Sequence, residues 1–379
     1  MRLRIALYTF QYPNILGGVS TYCMNLAKQL TRNNHEVHII TPRNENIIKD
    51  RNLHETVNIR FPLIHYFPER LGAYEVIKAI KPDVVHAQHG GPGLVIKKCN
   101  VPQVLTVHSL SQTYISTYNW RTANGLVIRI GSPFMKHLEI ENFKIANHLV
   151  FVYSQCRNDI QNQYRFNPVN YSCIPNGVDI EAFNPQKKRK EILDKYGKII
   201  FFSGMNDERK GIPELMQIIK QYNQEYTEKG VSFIITGKGS LQEQLRTFSR
   251  KYHNVHVFGF VSEKILQELY ASSFLFLFPT KMEAFPFSLL EALSSGCPIL
   301  TTTVGGIPDL FSKEIEIGKM VNPKQKIPDY IKYIRYLVEN EEVRNRLSLN
   351  SRKLVEEFFN WDRICDKIIK LYQSYIKDF

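Results

Sequence analysis

The sequence predicts an α/β protein made of two doubly wound domains facing each other across a cleft. Three observations carry this. The chain has 379 residues, enough for two cores of ordinary size. Short apolar runs alternate with amphipathic stretches, the pattern of parallel sheets covered by helices on both faces. The alternation then restarts after the polar, charged stretch NGVDIEAFNPQKKRKEILDKYG, which reads as a linker and a lead-in helix.

In chain order, the first set of strands is expected at 4–9, 36–41, 84–87, 103–107, 148–153 and 171–174. Helical patterns lie between them at 19–31, 70–80 and 134–146. The second set of strands is expected at 199–203, 231–236, 255–258, 274–278 and 299–302, with helices at 213–226, 241–251, 262–271 and 287–295. The domains divide as 1–180 and 181–360, with 361–379 as a final helical segment. In open parallel sheets ligands bind beyond the carboxyl ends of the strands, so the loops after the strands are where chemistry is sought.

The bulk numbers exclude several classes. With 43% hydrophobic and 22% charged residues the composition is globular. The six cysteines show no C-x-x-C spacing, which argues against a zinc or redox motif and suits a reducing, cytoplasmic setting. MRLRIALYTF is basic then apolar, but its apolar part is too short for a signal peptide and reads as a first strand. No apolar run is long enough to span a membrane. The net charge is +13. Residues 1–180 carry 19 Lys+Arg against 11 Asp+Glu, and the remainder 30 against 25, so the excess is larger in the first half. No nucleic-acid module accompanies it, so no nucleic-acid partner is expected. An anionic small molecule, an acidic membrane surface or a solvated basic face would each account for it.

Four sets of loops could carry chemistry. In LGGVSTYCMNLAKQL, Gly17 and Gly18 precede a helix whose free amides would welcome a phosphate, although two glycines there also make an ordinary turn. His86, His89 and His108 fall at or just after strand ends, where they could hydrogen-bond a sugar or serve only as structural histidines; they lack the acidic companions of a metal site. In IIFFSGMNDERKG, Arg209 and Lys210 could neutralise a diphosphate or be solvated turn cations. GKG at 237–239 is a further strand-end loop.

The fourth is EAFPFSLLEALSSGCP, residues 283–298. Pro286 suits the first helical position, while Gly296 and Pro298 end the helix. Glu283 then lies in the loop and Glu291 near the helix start, with the amides of Phe287, Ser288 and Leu289 between them. A carboxylate matches the vicinal diol of a ribose, amides and a lysine bind diphosphate, and a second carboxylate holds sugar hydroxyls. The alternative is a helix start that favours acids through its dipole.

From residue 201 to 311 the chain resembles the family 4 retaining glycosyltransferases, which have the GT-B fold of two Rossmann-like domains. FSGMNDERKG, IITGKGS, VHVFGFVSEKILQELYASS, FPTKMEAFPFSLLEALSSGCPIL and TTVGGIPDL carry the resemblance, and the glutamates match the family's E-x7-E motif. GGVSTYCMNLAKQLTRNNHEV, PDVVHAQHG, LTVHS and IPNGVD agree more loosely, and WDRICDKIIKLYQSYI looks like the last helix that packs back on the first domain. The resemblance implies retaining transfer of a sugar from a nucleotide-sugar donor, UDP-linked by the family's habit, to an acceptor hydroxyl of a sugar, glycolipid or polysaccharide precursor. No metal or other cofactor is implied. It gives Glu291 the ribose, Glu283 the donor sugar, Lys210 the diphosphate, Gly18 a phosphate approach and His108 the opposite face of the sugar. The base falls near Gly259 and Phe260.

One residue departs from the pattern. The family usually has Arg directly after the glycine of the strand-end loop, and here Met205 follows Gly204. Arg209 is the candidate to take over that charge. Front-face transfer, in which the departing phosphate oxygen accepts the proton of the incoming hydroxyl, is the expected mechanism. A nucleotide-sugar epimerase and a non-catalytic sugar-nucleotide-binding subunit are the rival classes. The stretch YISTYNWRTANGLVIRIGSPFMKHLEI mixes aromatics, cations and aliphatics and either docks on a membrane surface or is an ordinary helix with a basic face.

Overall fold

The computed structural model describes residues 1–9, 17–42, 53–56, 66–89, 100–115, 123–226, 230–322 and 327–376. It divides into two compact units, Met1–Asn176 together with Trp361–Phe379, and Gly177–Asn360.

In the first unit the strands are β1 (Arg4–Tyr8), β2 (Glu36–Pro42), β3 (Leu53–Thr56), β4 (Val84–His89), β5 (Gln103–Val107), β6 (His148–Phe151) and β7 (Tyr171–Cys173). They form one sheet in the order β3-β2-β1-β4-β5-β6-β7, and every pairing is parallel. All residues of β5 and β6 are buried, as expected of parallel strands covered on both faces.

The second unit holds β8 (Lys198–Ser203), β9 (Val231–Thr236), β10 (Val255–Gly259), β11 (Leu275–Phe278), β12 (Ile299–Thr302) and β13 (Gly318–Val321). Their order is β10-β9-β8-β11-β12-β13, again all parallel. The order reverses between β1 and β4 and between β8 and β11. Each reversal opens a crevice at the strands' carboxyl ends, the usual ligand position in such sheets. The predicted α/β class with two parallel sheets is therefore the observed one.

The differences have physical reasons. The strands β3 and β13 were not expected. They lie at sheet edges, and the sequences LHET and GKMV contain no long apolar run to read. The helix expected from residue 134 instead begins earlier and runs Ala123–Ile145 with Pro133 inside it. Proline removes one helical hydrogen bond, and flanking turns on both sides carry the helix across the gap. Pro286 is the N-cap of helix Phe287–Ser294, with extended backbone, and not its first helical residue.

The last helix, Trp361–Ile376, buries Trp361, Ile364, Cys365, Ile368 and Tyr372, a stripe at helical spacing. It packs on helix Gly18–Arg32, where Tyr22 meets Trp361 edge-on at 5.3 Å. Truncating Ile368, fully buried in that stripe, to Ala would cost about 2–5 kcal/mol.

Candidate functional site

The crevice of the second unit is built by the loops after β8 and β11. Lys210 Nζ donates to Glu283 Oε1 at 2.5 Å, and Thr280 Oγ1 donates to the same oxygen at 3.0 Å. Both charged side chains are largely buried, 15% and 7% exposed. The ammonium also lies 5.4 Å from the ring centre of Phe278, the last residue of β11. Glu283 Oε2 has no hydrogen-bond partner among the described residues, so one carboxylate oxygen is committed to the lysine and the other is open.

Two glycines make this geometry possible. Gly211 has φ +78°, and a Cβ there would stand 1.9 Å from the Pro279 carbonyl oxygen. Only glycine lets the β8 loop lie against the end of β11 and bring Lys210 to Glu283. Gly305 has φ +55°, and a Cβ there would meet the Glu283 carbonyl oxygen at 1.8 Å. Gly306 N then donates to Ala284 O at 2.6 Å, which fixes the backbone on either side of the carboxylate.

Arg209 stands beside this pair. Its Nη2 lies 3.6 Å from Met205 Sδ and 3.6 Å from Asp207 Oδ2, while its carbonyl oxygen accepts from Lys281 N at 2.9 Å. The guanidinium thus reaches the side chain of residue 205, which is itself half exposed. Lys210 N donates to Asp207 Oδ1 at 2.9 Å, closing the turn that presents both cations.

Helix Phe287–Ser294 has no side-chain cap. Amides of a first helical turn have no intrahelical partner, so those of Phe287, Ser288 and Leu289 are suited to an anion. Glu291 is the fifth residue of this helix and is half-buried. Burial pushes its carboxyl up to about 7, opposed by the nearby Tyr270 hydroxyl and reinforced by Glu263. The Tyr270 hydroxyl is itself buried and makes no well-aligned hydrogen bond. The two glutamates therefore differ in kind: Glu283 has a cation at hydrogen-bond distance, and Glu291 has a phenol nearby.

The loops after β8, β9 and β10 are tied side by side. Asn206 N donates to Lys238 O at 3.1 Å, and Gly237 N donates to Gly259 O at 2.7 Å. Asn206, fully buried, adds a side-chain bond from Nδ2 to Gly237 O at 3.0 Å. Gly259 has φ +72°, and Phe260 immediately after it is 61% exposed, an aromatic face with little protein on it.

In the first unit Gly17 is the extended N-cap of helix Gly18–Arg32, and both glycines are exposed. His108 follows β5, is buried, and its Nε2 lies 3.0 Å from Gln88 Oε1. Tyr22 of the glycine-started helix meets the His108 ring edge-on at 4.7 Å, so this helix and the histidine loop share one packing cluster. His86 is different. Its ring nitrogens engage Tyr372 Oη at 2.5 Å and Thr106 Oγ1 at 2.6 Å, it is fully buried, and burial lowers it to about 3. It is a structural histidine. His89 ends β4, and its side chain, like Gly90 and Gly91, lies outside the described residues.

Sequence reasoning missed Thr280, Asn206, Tyr270 and Gln88. Thr280 lies within the loop after β11 and was findable from its place three residues before Glu283. The other three act through partners on neighbouring helices, strands or loops, which no local pattern reveals. Among the described residues no three His, Cys, Asp or Glu side chains group as metal ligands would, and no helix is long and apolar enough to cross a membrane.

Comparison with known proteins bears on the family and the fold. A model of Glycosyltransferase Family 4 matches residues 16–182, and one of Glycosyl transferases group 1 matches residues 183–354. An uncharacterized glycosyltransferase of Methanocaldococcus jannaschii is 25% identical over 401 residues, covering 98% of each chain. The UDP-Gal:alpha-D-GlcNAc-diphosphoundecaprenol alpha-1,3-galactosyltransferase of Escherichia coli is 25% identical over 327 residues, covering 82% of this chain and 80% of that one. The structure of Anabaena HepE in complex with UDP-glucose is similar with a TM-score of 0.75 at 15% identity, over 98% of this chain and 99% of that one, a likeness of fold.

Proposed function

The chain belongs to the family 4-like glycosyltransferases of the GT-B fold, and from that premise we propose that it transfers a hexosyl group from a UDP-sugar to an acceptor hydroxyl with retention at the anomeric carbon. The observation that carries the reading is the Lys210–Glu283 pair at the β8/β11 switch point. A sugar diphosphate needs a cation and a carboxylate side by side, and here one loop supplies each.

In this reading Lys210 and Arg209 face the diphosphate, with the amides of Phe287, Ser288 and Leu289 at the uncapped helix start. Glu291 accepts the ribose diol, and the base lies along Gly259 and Phe260. Glu283 Oε2 accepts from a hydroxyl of the donor sugar. By the family resemblance, Gly17 and Gly18 are assigned to the phosphate and His108 to the sugar. As the bond from the anomeric carbon to the phosphate oxygen breaks, negative charge gathers on the diphosphate, and fixed cations lower that barrier. The freed phosphate oxygen takes the proton of the acceptor hydroxyl, whose oxygen bonds to the same face of the anomeric carbon. No added metal is required.

The proposed acceptor is a lipid-linked sugar or cell-envelope precursor at the cytoplasmic membrane face; the E. coli relative is named for a diphosphoundecaprenol-linked sugar acceptor. On helix Ala123–Ile145, Ile130 is 72% exposed and Phe134, one turn on, 42% exposed, with Arg129 exposed beside them. Apolar side chains flanked by a cation suit an anionic bilayer surface.

A thermal-shift series with UDP, GDP and ADP tests the donor class, since a ligand at about 100 times its Kd stabilises the native state by about 2.7 kcal/mol. UDP is expected to give the largest rise, and UDP-sugars are expected to yield a product of retained configuration, with or without a chelator. An inverted product, or no response to any nucleotide, would overturn the reading. Met205 in the family's arginine position favours a second reading, a sugar-nucleotide-binding subunit, which nucleotide binding without turnover would support.

A further inference from the structure

We infer that Gln88 is a positioning residue that holds the His108 ring in its Nε2–H form. The inference rests on the reading that His108 serves the donor sugar.

Two polar rungs cross from β4 to β5 on one face of the first sheet. In the parallel register His86 pairs with Val104 and Gln88 with Thr106. Each side chain reaches two residues further along β5: His86 to Thr106 at 2.6 Å, and Gln88 to His108 at 3.0 Å. The inner rung is closed by Tyr372 and uses both ring nitrogens of His86. The outer rung lies at the carboxyl end of the strands, where ligands bind such sheets.

Gln88 is 1% exposed, and its Nε2 has no hydrogen-bond partner among the described residues. A buried carboxamide with an unmet N–H costs stability, so packing alone does not account for a glutamine here. What the carboxamide does make is the bond from Oε1 to His108. A carbonyl oxygen only accepts, so His108 Nε2 carries the hydrogen and Nδ1 is the acceptor nitrogen of the neutral ring. Tyr22, packed edge-on at 4.7 Å, fixes the ring plane from the second side.

The test reads the ring directly. In full-length 15N-labelled protein near neutral pH, without substrate, His108 is assigned by comparison with His108→Gln. The expected signal is that of the neutral Nε2–H tautomer. Gln88→Met removes the acceptor, and the two tautomers should then mix; Gln88→Glu retains an oxygen and should keep Nε2 protonated. With a UDP-sugar, kcat/KM is expected to fall about three- to tenfold in Gln88→Met, the worth of one hydrogen bond, and to recover in part in Gln88→Glu. Hydrogen on Nδ1 in the unsubstituted protein, which needs no variant to fold, overturns the inference, as does an unchanged ring signal in Gln88→Met. The expected ring signals in a protein that transfers no sugar would uphold Gln88's role and overturn the enzymatic reading instead.

Discussion

Glu283 and Glu291 are eight residues apart and live in opposite electrostatic surroundings. Glu283 is held by an ammonium and a hydroxyl in a loop that two glycines press into place. Glu291 stands half-buried on a helix, beside a phenol and within reach of another glutamate's field, and its carboxyl is pushed up to about 7. The first is a carboxylate stabilised before any ligand arrives. The second is a carboxylate kept at some cost until a ligand supplies hydrogen-bond donors. The contrast teaches that a shared motif can contain one preorganised group and one that its ligand completes.

The contrast breaks most sharply at Lys210. Lys210→Ala removes the cation on the leaving group and strips Glu283 of its partner, so kcat is expected to fall about 10³-fold. Lys210→Arg keeps the charge and should lose less. Steady-state kinetics on the two variants decides this, and near-normal turnover in Lys210→Ala would remove the pair from the chemistry. Gly211→Ala attacks the same pair through the backbone. A Cβ at φ +78° and 1.9 Å from Pro279 O must displace the loop, and a loss of about 2–4 kcal/mol is expected in urea unfolding.

Much of this was legible in the sequence, for local reasons. Apolar runs bounded by glycine or proline mark β8, β9, β11 and β12, because strands buried on both faces must be continuously apolar. The strand-end position of Lys210 and Glu283 follows from that alone. Their contact does not, because it depends on β8 and β11 being neighbours, and strand order is a property of the whole sheet. Gln88 stayed hidden for the same reason, and Tyr270 because its partner Glu291 stands on a neighbouring helix; each reads as an ordinary core or strand residue until that neighbour is known. Pro133 stands inside helix Ala123–Ile145, where a proline ordinarily ends or kinks a helix, so the turns before it are not legible from the pattern.

Arg209 sharpens the comparison by a smaller step. Its guanidinium lies against Met205 and Asp207, a short reach from the lysine one residue on. If it supplies the second charge to the diphosphate, Arg209→Ala lowers kcat about 10- to 30-fold while Lys210 still holds Glu283. An unchanged kcat would leave Lys210 as the cation of this loop that matters for turnover. Exposed to solvent on one side, Arg209 contributes little to stability, so the melting temperature should barely move.

The smallest expected effect tests the other half of the pair. Burial raises the carboxyl of Glu291 from its ordinary 4.5 to about 7. An acid whose folded value is raised stabilises the fold when protonated. That contribution is complete below the unfolded value and is lost as pH rises through about 7. At about pH 8 the free protein therefore holds a carboxylate it would rather neutralise. Glu291→Gln keeps the shape without the charge, so the variant should be more stable there by on the order of 1 kcal/mol, a figure reduced for partial exposure. The advantage should shrink as pH falls toward 4.5, which melting curves across that window would show. The same substitution should weaken donor binding, because an amide is a poorer acceptor for a diol than a carboxylate. Glu283→Gln, by contrast, should destabilise the fold at about pH 8, since it leaves the largely buried Lys210 without its counter-charge. A gain in stability for both variants would mean that both glutamates feel one environment, and the distinction between a preorganised group and a ligand-completed one would fall.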